Sequence, residues 1–308
     1  MKRSLSIPAF FATLIFLTIG STYADVEDRV EKEYRVNPGG TLTIESDLGR
    51  IEVESVRGQK VIIQVWRKIK VHSRKEADKI LDNFDLEFRQ HGDDVSVVAK
   101  WIDKSRFSSM RNRLQLRYKI QVPRRYNVDL RTGGGSIVVR ALVGNVRVQT
   151  SGGSLIFGDI TGPVFGRTSG GSITLEGCKG KADIKTSGGS IQVGRVEGSV
   201  VAHTSGGSIR VKEVMGAIKA RTSGGSIKAY ITRQPDDDCE LITSGSSIKV
   251  YLATNLRLDI DAKTSAGSVK TELSIGKKKK STLKGKLNGG GPLLYLRTSG
   301  GNIYLKGI

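Results

Sequence analysis

The chain of 308 residues carries 50 Lys and Arg against 30 Asp and Glu, a formal charge of +20, with 37% hydrophobic residues and 38 glycines. Two cysteines are too few for a disulfide-stapled scaffold, and His72, His91 and His203 are too scattered for a zinc site. A positive field of this size favours anionic partners, or simply keeps a repetitive β-rich chain dispersed.

In chain order, Lys2 and Arg3 precede an uncharged run from Ile7 to Ile19, and Thr22-Tyr23-Ala24 offers the small residues a signal peptidase reads. Residues 1–24 are expected to be a cleaved export signal, since the apolar run falls short of the ~20 residues a membrane span needs. The mature chain then starts at Asp25, and loss of Lys2 and Arg3 lowers the charge from +20 to +18. No lipid-accepting Cys or apolar tail follows, so the product is expected to be exported without a transmembrane anchor, as a periplasmic, envelope-associated or extracellular protein.

Residues 25–58 read as N-terminal strands and a first coil: with Ser46 as anchor, Leu42, Ile44, Ile51, Val53 and Val56 fall on the offsets of the repeat below. Residues 59–125 break the period and are expected to form an α+β excursion that covers an open solenoid end. Ser73 with Glu76 makes a capping box, and Ala77, Ile80, Leu81 and Phe84 keep helical spacing, which predicts one helix near 74–84. Strands are expected at Val61 to Val65, Leu86 to Phe88, Val95 to Trp101 and Leu114 to Val122, with a basic loop over Ser105 to Asn112.

Residues 126–308 are dominated by Thr150-Ser151-Gly152-Gly153-Ser154-Leu155 and its copies at Thr132, Thr168, Thr186, Thr204 and Thr222, each eighteen residues apart, with looser copies at Thr243, Thr264 and Thr298. A fixed period marks a stacked-repeat fold. Apolar and polar residues alternate within a repeat, so each holds two short strands, and its Gly-bearing corners are expected to supply positive φ angles. The fold class is therefore all-β: a parallel β-solenoid of about eighteen residues per coil, two strands per coil, with a small α+β excursion near the N-terminus. Stacking puts equal offsets about 4.8 Å apart along the axis. Ile137, Leu155, Ile173, Ile191, Ile209 and Ile227 then form one inward column, and Leu142, Ile160, Cys178, Val196 and Val214 another. The anchor Thr residues also face inward and must bond corner backbone.

Two outward columns are basic. The position before the anchor reads Gln149, Arg167, Lys185, His203, Arg221, Lys263 and Arg297, and the sixth after it ends in Arg210, Lys228, Lys249 and Lys270. With the local run Lys277, Lys278, Lys279 and Lys280, these rows are the candidate anion-binding residues, notably Arg167, Lys185, Arg221 and Lys263 on one row. Cys178 and Cys239 lie roughly 14 Å apart at the strand spacing, beyond the about 7 Å a disulfide spans, and read as buried free thiols. Asp236-Asp237-Asp238 is an acidic corner with no second ligand cluster, so neither metal nor cofactor is expected. No nucleophile elbow or phosphate loop is present, and no outward column supplies the carboxylate half of a polysaccharide-active site.

The function expected is thus non-enzymatic: an envelope or cell-surface module binding an anionic polymer or surface, without specific nucleic-acid recognition. A structural spacer ranks second and a polysaccharide-active enzyme third. The recurrent Thr-Ser-Gly-Gly-Ser-Ile behind a signal peptide resembles the bacterial family of β-strand-repeat proteins known as a domain of unknown function and labelled as adhesins. The resemblance covers about Thr41 to Ser46 and Tyr126 to Ile308, and it implies a parallel β-solenoid in an exported or envelope protein with no catalytic residues.

Overall fold

The alternation of apolar and polar residues builds two long sheets that face each other across a thin core, in a computed structural model that describes residues 25–103 and 112–308. The proposed export signal and most of the basic loop, including Arg106 and Arg111, lie outside the described residues. In each regular coil a short strand ends at the anchor Thr or one residue before it, the chain turns, and a second strand begins at the Ile position. Val146–Thr150 then Leu155–Thr161, and Val164–Arg167 then Ile173–Lys179, are two successive examples. The first strands stack into what we term the anchor sheet and the second into the isoleucine sheet. Register follows the repeat: Leu155 pairs with Ile173, Ile173 with Ile191, Ile191 with Ile209 and Ile209 with Ile227, all parallel. Both inward columns are buried throughout. Where Gly166 takes a core position, an added Cβ would meet the Phe157 ring at 3.0 Å, so the missing side chain makes room for that ring.

The Thr-Ser-Gly-Gly-Ser motif is a device for a sharp corner repeated in register. Thr168 Oγ1 donates to the Gly153 carbonyl of the preceding coil at 2.8 Å and accepts from the Gly171 amide at 3.4 Å. Thr150, Thr186, Thr204 and Thr222 repeat the bond to the preceding coil. The last Ser forms a second ladder, in which the amide of Ser172 donates to Ser154 Oγ and that of Ser190 to Ser172 Oγ. The expectation of positive φ at these Gly pairs holds only in the first copy, at Gly135 with φ 117°; in the later copies the left-handed glycines sit at the opposite corner, as at Gly162 with φ 138°. The second Gly of each pair is required instead by close approach, since a Cβ on Gly189 would lie 2.1 Å from the Gly171 carbonyl oxygen.

Among the described residues the parallel part holds eleven coils, which at ~4.8 Å per step makes a rod on the order of 50 Å long. Spatial order departs from chain order at both ends. Thr41–Ser46 pairs with Asn127–Thr132 on one side and with Asp94–Trp101 on the other, both parallel. Arg50–Val56 likewise sits between Ile137–Arg140 and Leu114–Pro123. The excursion thus adds a coil outside the first one, and antiparallel strands Lys60–Ile69, Val26–Arg35 and Phe84–His91 flank it. Its helix, Arg74–Leu81, starts at Ser73, whose hydroxyl accepts from the Glu76 amide, and buries Ala77 and Ile80. Phe84 meets Trp101 edge-on nearby, ring centroids 5.1 Å apart.

At the other end, Leu293–Thr298 is inserted between Cys239–Thr243 and Leu258–Thr264, and Ile303–Gly307 between Ile248–Leu252 and Val269–Thr271, parallel throughout. The insertion corrects the outward row expected from the sequence, in which Ile242 follows Arg221 and Arg297 precedes Lys263. Thr282–Leu287 and Lys277–Lys278 finish the anchor sheet antiparallel. Cys178 and Cys239 are buried free thiols. Cys178 Sγ donates to the Gly162 carbonyl at 3.3 Å, and Cys239 Sγ accepts from the Ile218 amide at 3.4 Å.

Candidate anion-binding face

The basic candidates divide among three places. On the anchor sheet, Arg167 is held by Asp183 at 2.7 Å and lies over the Phe165 ring at 3.8 Å, with Arg147 on the same ring at 4.6 Å. Arg221 is paired with Glu240, and Arg297 with Asp261 at 2.8 Å, above Tyr295. The pairing with Glu240 holds the Arg221 guanidinium above its ordinary range. Lys185 and Lys263 stand in the same face without ion pairs among the described residues. The position three before the anchor therefore supplies carboxylates after all, at Asp129, Asp183, Glu240 and Asp261, contrary to the reading from sequence. Each is bound to an arginine of its own face. Such pairs consume the charge that an external anion would read.

Lys277, Lys278, Lys279 and Lys280 form the exposed edge of the anchor sheet, with Lys277 opposite Lys284 and Lys278 opposite Leu283. At the far end of this run the Lys280 carbonyl accepts from the Val269 amide at 2.8 Å, so the lysine edge reaches the end of the isoleucine sheet beside Lys270.

The isoleucine sheet presents a different row. Arg210 pairs with Lys228, Lys228 with Lys249, Lys249 with Tyr304, and Tyr304 with Lys270, so the inserted final coil places a tyrosine between two lysines. Among the described residues none of these four cations forms an ion pair. Beside the row, Tyr230 and Tyr251 stack with centroids 4.5 Å apart and planes 12° apart. Lys228 Nζ lies 5.1 and 5.0 Å from those two rings, and Lys249 and Lys270 lie 5.6 and 5.8 Å from the Tyr304 ring. Hydrogen bonding to the Tyr230 phenol holds the Lys228 ammonium above its ordinary range, so the charge is secure at neutral pH. A groove of about 470 Å³ runs between this row and the serine corner, lined by Ser208, Ser226, Ser247, Lys249 and Tyr304 among others.

The tyrosines stand at fixed offsets of the repeat, though their residue type does not mark them as part of a charged column. Tyr304 stands six residues after its anchor, the same offset as Lys249 and Lys270, and Tyr230 and Tyr251 share the offset of eight. Among the described residues, no group of three or more His, Cys, Asp or Glu could hold a metal, and no helix is long and apolar enough to cross a membrane. In the acidic corner, Asp238 accepts from the Leu293 amide at 2.7 Å and so helps seat the inserted coil.

An eleven-coil parallel β-solenoid with a two-sided core and, on one face, a basic row without ion pairs among the described residues is the class these features define. The family model of the Toastrack domain, DUF4097, matches residues 41–306, and the chain belongs to that family. No curated protein matches the chain. Among solved structures it is similar to a putative adhesin from Bacteroides fragilis, 12% identical, over 91% of this chain and 97% of that one, with a TM-score of 0.36. It is also similar to a putative lipid binding protein from Parabacteroides distasonis, 13% identical, over 90% and 96%, with a TM-score of 0.38. A putative cell adhesion protein from Clostridium sporogenes is 12% identical over 91% and 100%, with a TM-score of 0.26. No role is carried over from similarities this distant.

Proposed function

We propose that the chain is a non-enzymatic, exported, surface-associated protein that binds an anionic envelope polymer or cell surface through the isoleucine-sheet row. The observation that carries this reading is the contrast between the two faces. Arg167, Arg221 and Arg297 are spent on carboxylates of their own sheet, whereas Arg210, Lys228, Lys249 and Lys270 stand in register without any. Stacked like charges repel, and an anion laid across them relieves that repulsion. Export is supported by the charged start and the thirteen-residue apolar run of residues 1–24.

The spacer reading keeps one observation in its favour, since the anchor-sheet arginines Arg167, Arg221 and Arg297 are neutralised by carboxylates of their own face. Retention of the purified chain on isolated bacterial envelopes across a salt series separates the two. Binding that weakens with salt, and that is lost in Arg210→Glu/Lys228→Glu/Lys249→Glu, supports the anion-binding reading. No retention at physiological salt leaves the spacer.

A further inference from the structure

The isoleucine-sheet row is a line parallel to the solenoid axis, one side chain per coil, with a step of about 4.8 Å. Three of its cations are lysines, compact point charges rather than the planar forks suited to bidentate phosphate. Tyr304 interrupts them, and its phenol oxygen accepts from Asn302 Nδ2 at 3.2 Å, which leaves the O–H to donate outward. Tyr230 and Tyr251 cover one face of each other, so beside the row they offer ring edges and phenol tips. Across the groove, Ser208 and Ser226 hydroxyls lie 3.2 Å apart at the corner. The surface is therefore a file of single positive charges flanked on both sides by hydroxyl groups.

We infer that this groove binds an extended acidic polysaccharide with one carboxylate per sugar, laid along the solenoid axis, an assignment that rests on the anion-binding reading above. An extended chain of six-membered sugar rings advances by about one strand spacing per residue, and its twist turns about every second carboxylate to the same side, which matches the alternate-coil spacing of Arg210, Lys249 and Lys270 in the row. The Tyr304 phenol and the serine row then serve the ring hydroxyls. A nucleic-acid strand fits less well. Six backbone bonds separate its phosphates, which carries them past one coil per step, and its bases seek open aromatic faces, which the Tyr230–Tyr251 stack partly closes.

The test measures binding of the purified chain to polygalacturonate, to its neutral methyl ester, to oligo(dT) and to polyphosphate at one ionic strength. Expected are binding to polygalacturonate, none to the methyl ester, and binding to oligo(dT) and polyphosphate at least about tenfold weaker. Lys228→Gln/Lys249→Gln should weaken polygalacturonate binding about tenfold. Tyr304→Phe, which keeps ring and charge but removes the phenol, should weaken it several-fold and leave oligo(dT) binding unchanged. Lys219→Gln on the other sheet is the control, and circular dichroism with thermal melting confirms that each variant is folded. Equal affinity for all three polyanions, or indifference to the Lys228, Lys249 and Tyr304 changes, overturns the inference. If binding to polyanions survives those changes but is lost on reversal of Lys277 to Lys280, the groove assignment falls while anion binding stands. If no polyanion binds, both fall.

Discussion

Replacement of Thr204 by valine tests the physical basis of the corner motif. Thr204 is fully buried; its Oγ1 donates to the Gly189 carbonyl at 2.7 Å and accepts from the Gly207 amide at 3.4 Å. Valine has nearly the same shape but no hydroxyl, so the carbonyl and the amide, both at half-buried glycines, lose that partner. A buried polar group left unmade costs about 1–3 kcal/mol, and the two together, offset by the added methyl, should cost about 3 kcal/mol. Serine keeps the hydroxyl and loses one buried methyl, which costs about 1 kcal/mol. For a chain of this size, valine should lower the melting temperature by roughly 6–10 °C, and serine by about a third of that. Because a stacked array can open locally, native-state hydrogen exchange supplies the sharper readout. The Gly207 amide should lose protection in the valine variant and keep it in the serine variant. A valine variant that melts no lower than the serine variant would refute the ladder as a source of stability and return the threonines to mere volume.

Gly189→Ala places a methyl 2.1 Å from the Gly171 carbonyl oxygen and should cost about 3 kcal/mol, whereas Gly152→Ala, where the added methyl meets nothing within 4 Å, should cost less than about 1 kcal/mol; thermal melts of the pair compare them directly. Alkaline stability should fall for a stated reason: burial pushes the Cys178 thiol up to about 11 from 9.0, and burial, then Asp94 and Asp93, push the Tyr126 phenol up to about 12 from 10.0. Both groups hold their protons more tightly in the folded chain, so their contribution is complete below pH 9 and is lost as pH rises from 9 to 12. A urea midpoint unchanged between about pH 8 and about pH 10.5 would contradict this. Deletion of residues 293–308 should free the strands Leu258–Thr264 and Val269–Thr271 from their parallel neighbours, read as loss of amide protection across 258–287 with the coils before Thr222 retained.

The regular coils were legible because one period fixes every column. Once Thr150 and Thr168 are stacked, Leu155 must lie beside Ile173 and Val148 beside Gly166, and alternation decides which of them face inward. Legibility ended where chain order and spatial order part. Nothing in the segment from Thr271 to Pro292 announces that Ile303–Gly307 returns to a slot between two strands already passed, because loop length alone does not choose a neighbour. The neutralisation of Arg167 was hidden differently. Its partner Asp183 belongs to the next coil and stands two positions off in register, so a column read straight along the axis passes it by. Tyr304 is legible at its offset, but a column defined by positive charge does not include a neutral phenol.

The inserted coil makes completion of this end of the rod depend on residues 293–307. Strands Leu258–Thr264 and Val269–Thr271 leave a synthetic machinery before the segments that join them to the rod, so they wait without a parallel partner until Leu293–Thr298 and Ile303–Gly307 arrive. The opposite end works in the same manner, since Thr41–Ser46 acquires its outer neighbour only after Trp101 has been made. A solenoid that simply grew coil by coil would be ready to stack from the first turn. This one is fastened at each end by chain that comes later, like a buckle whose tongue is threaded last, and a partly made chain keeps its terminal coils open until the whole length has emerged.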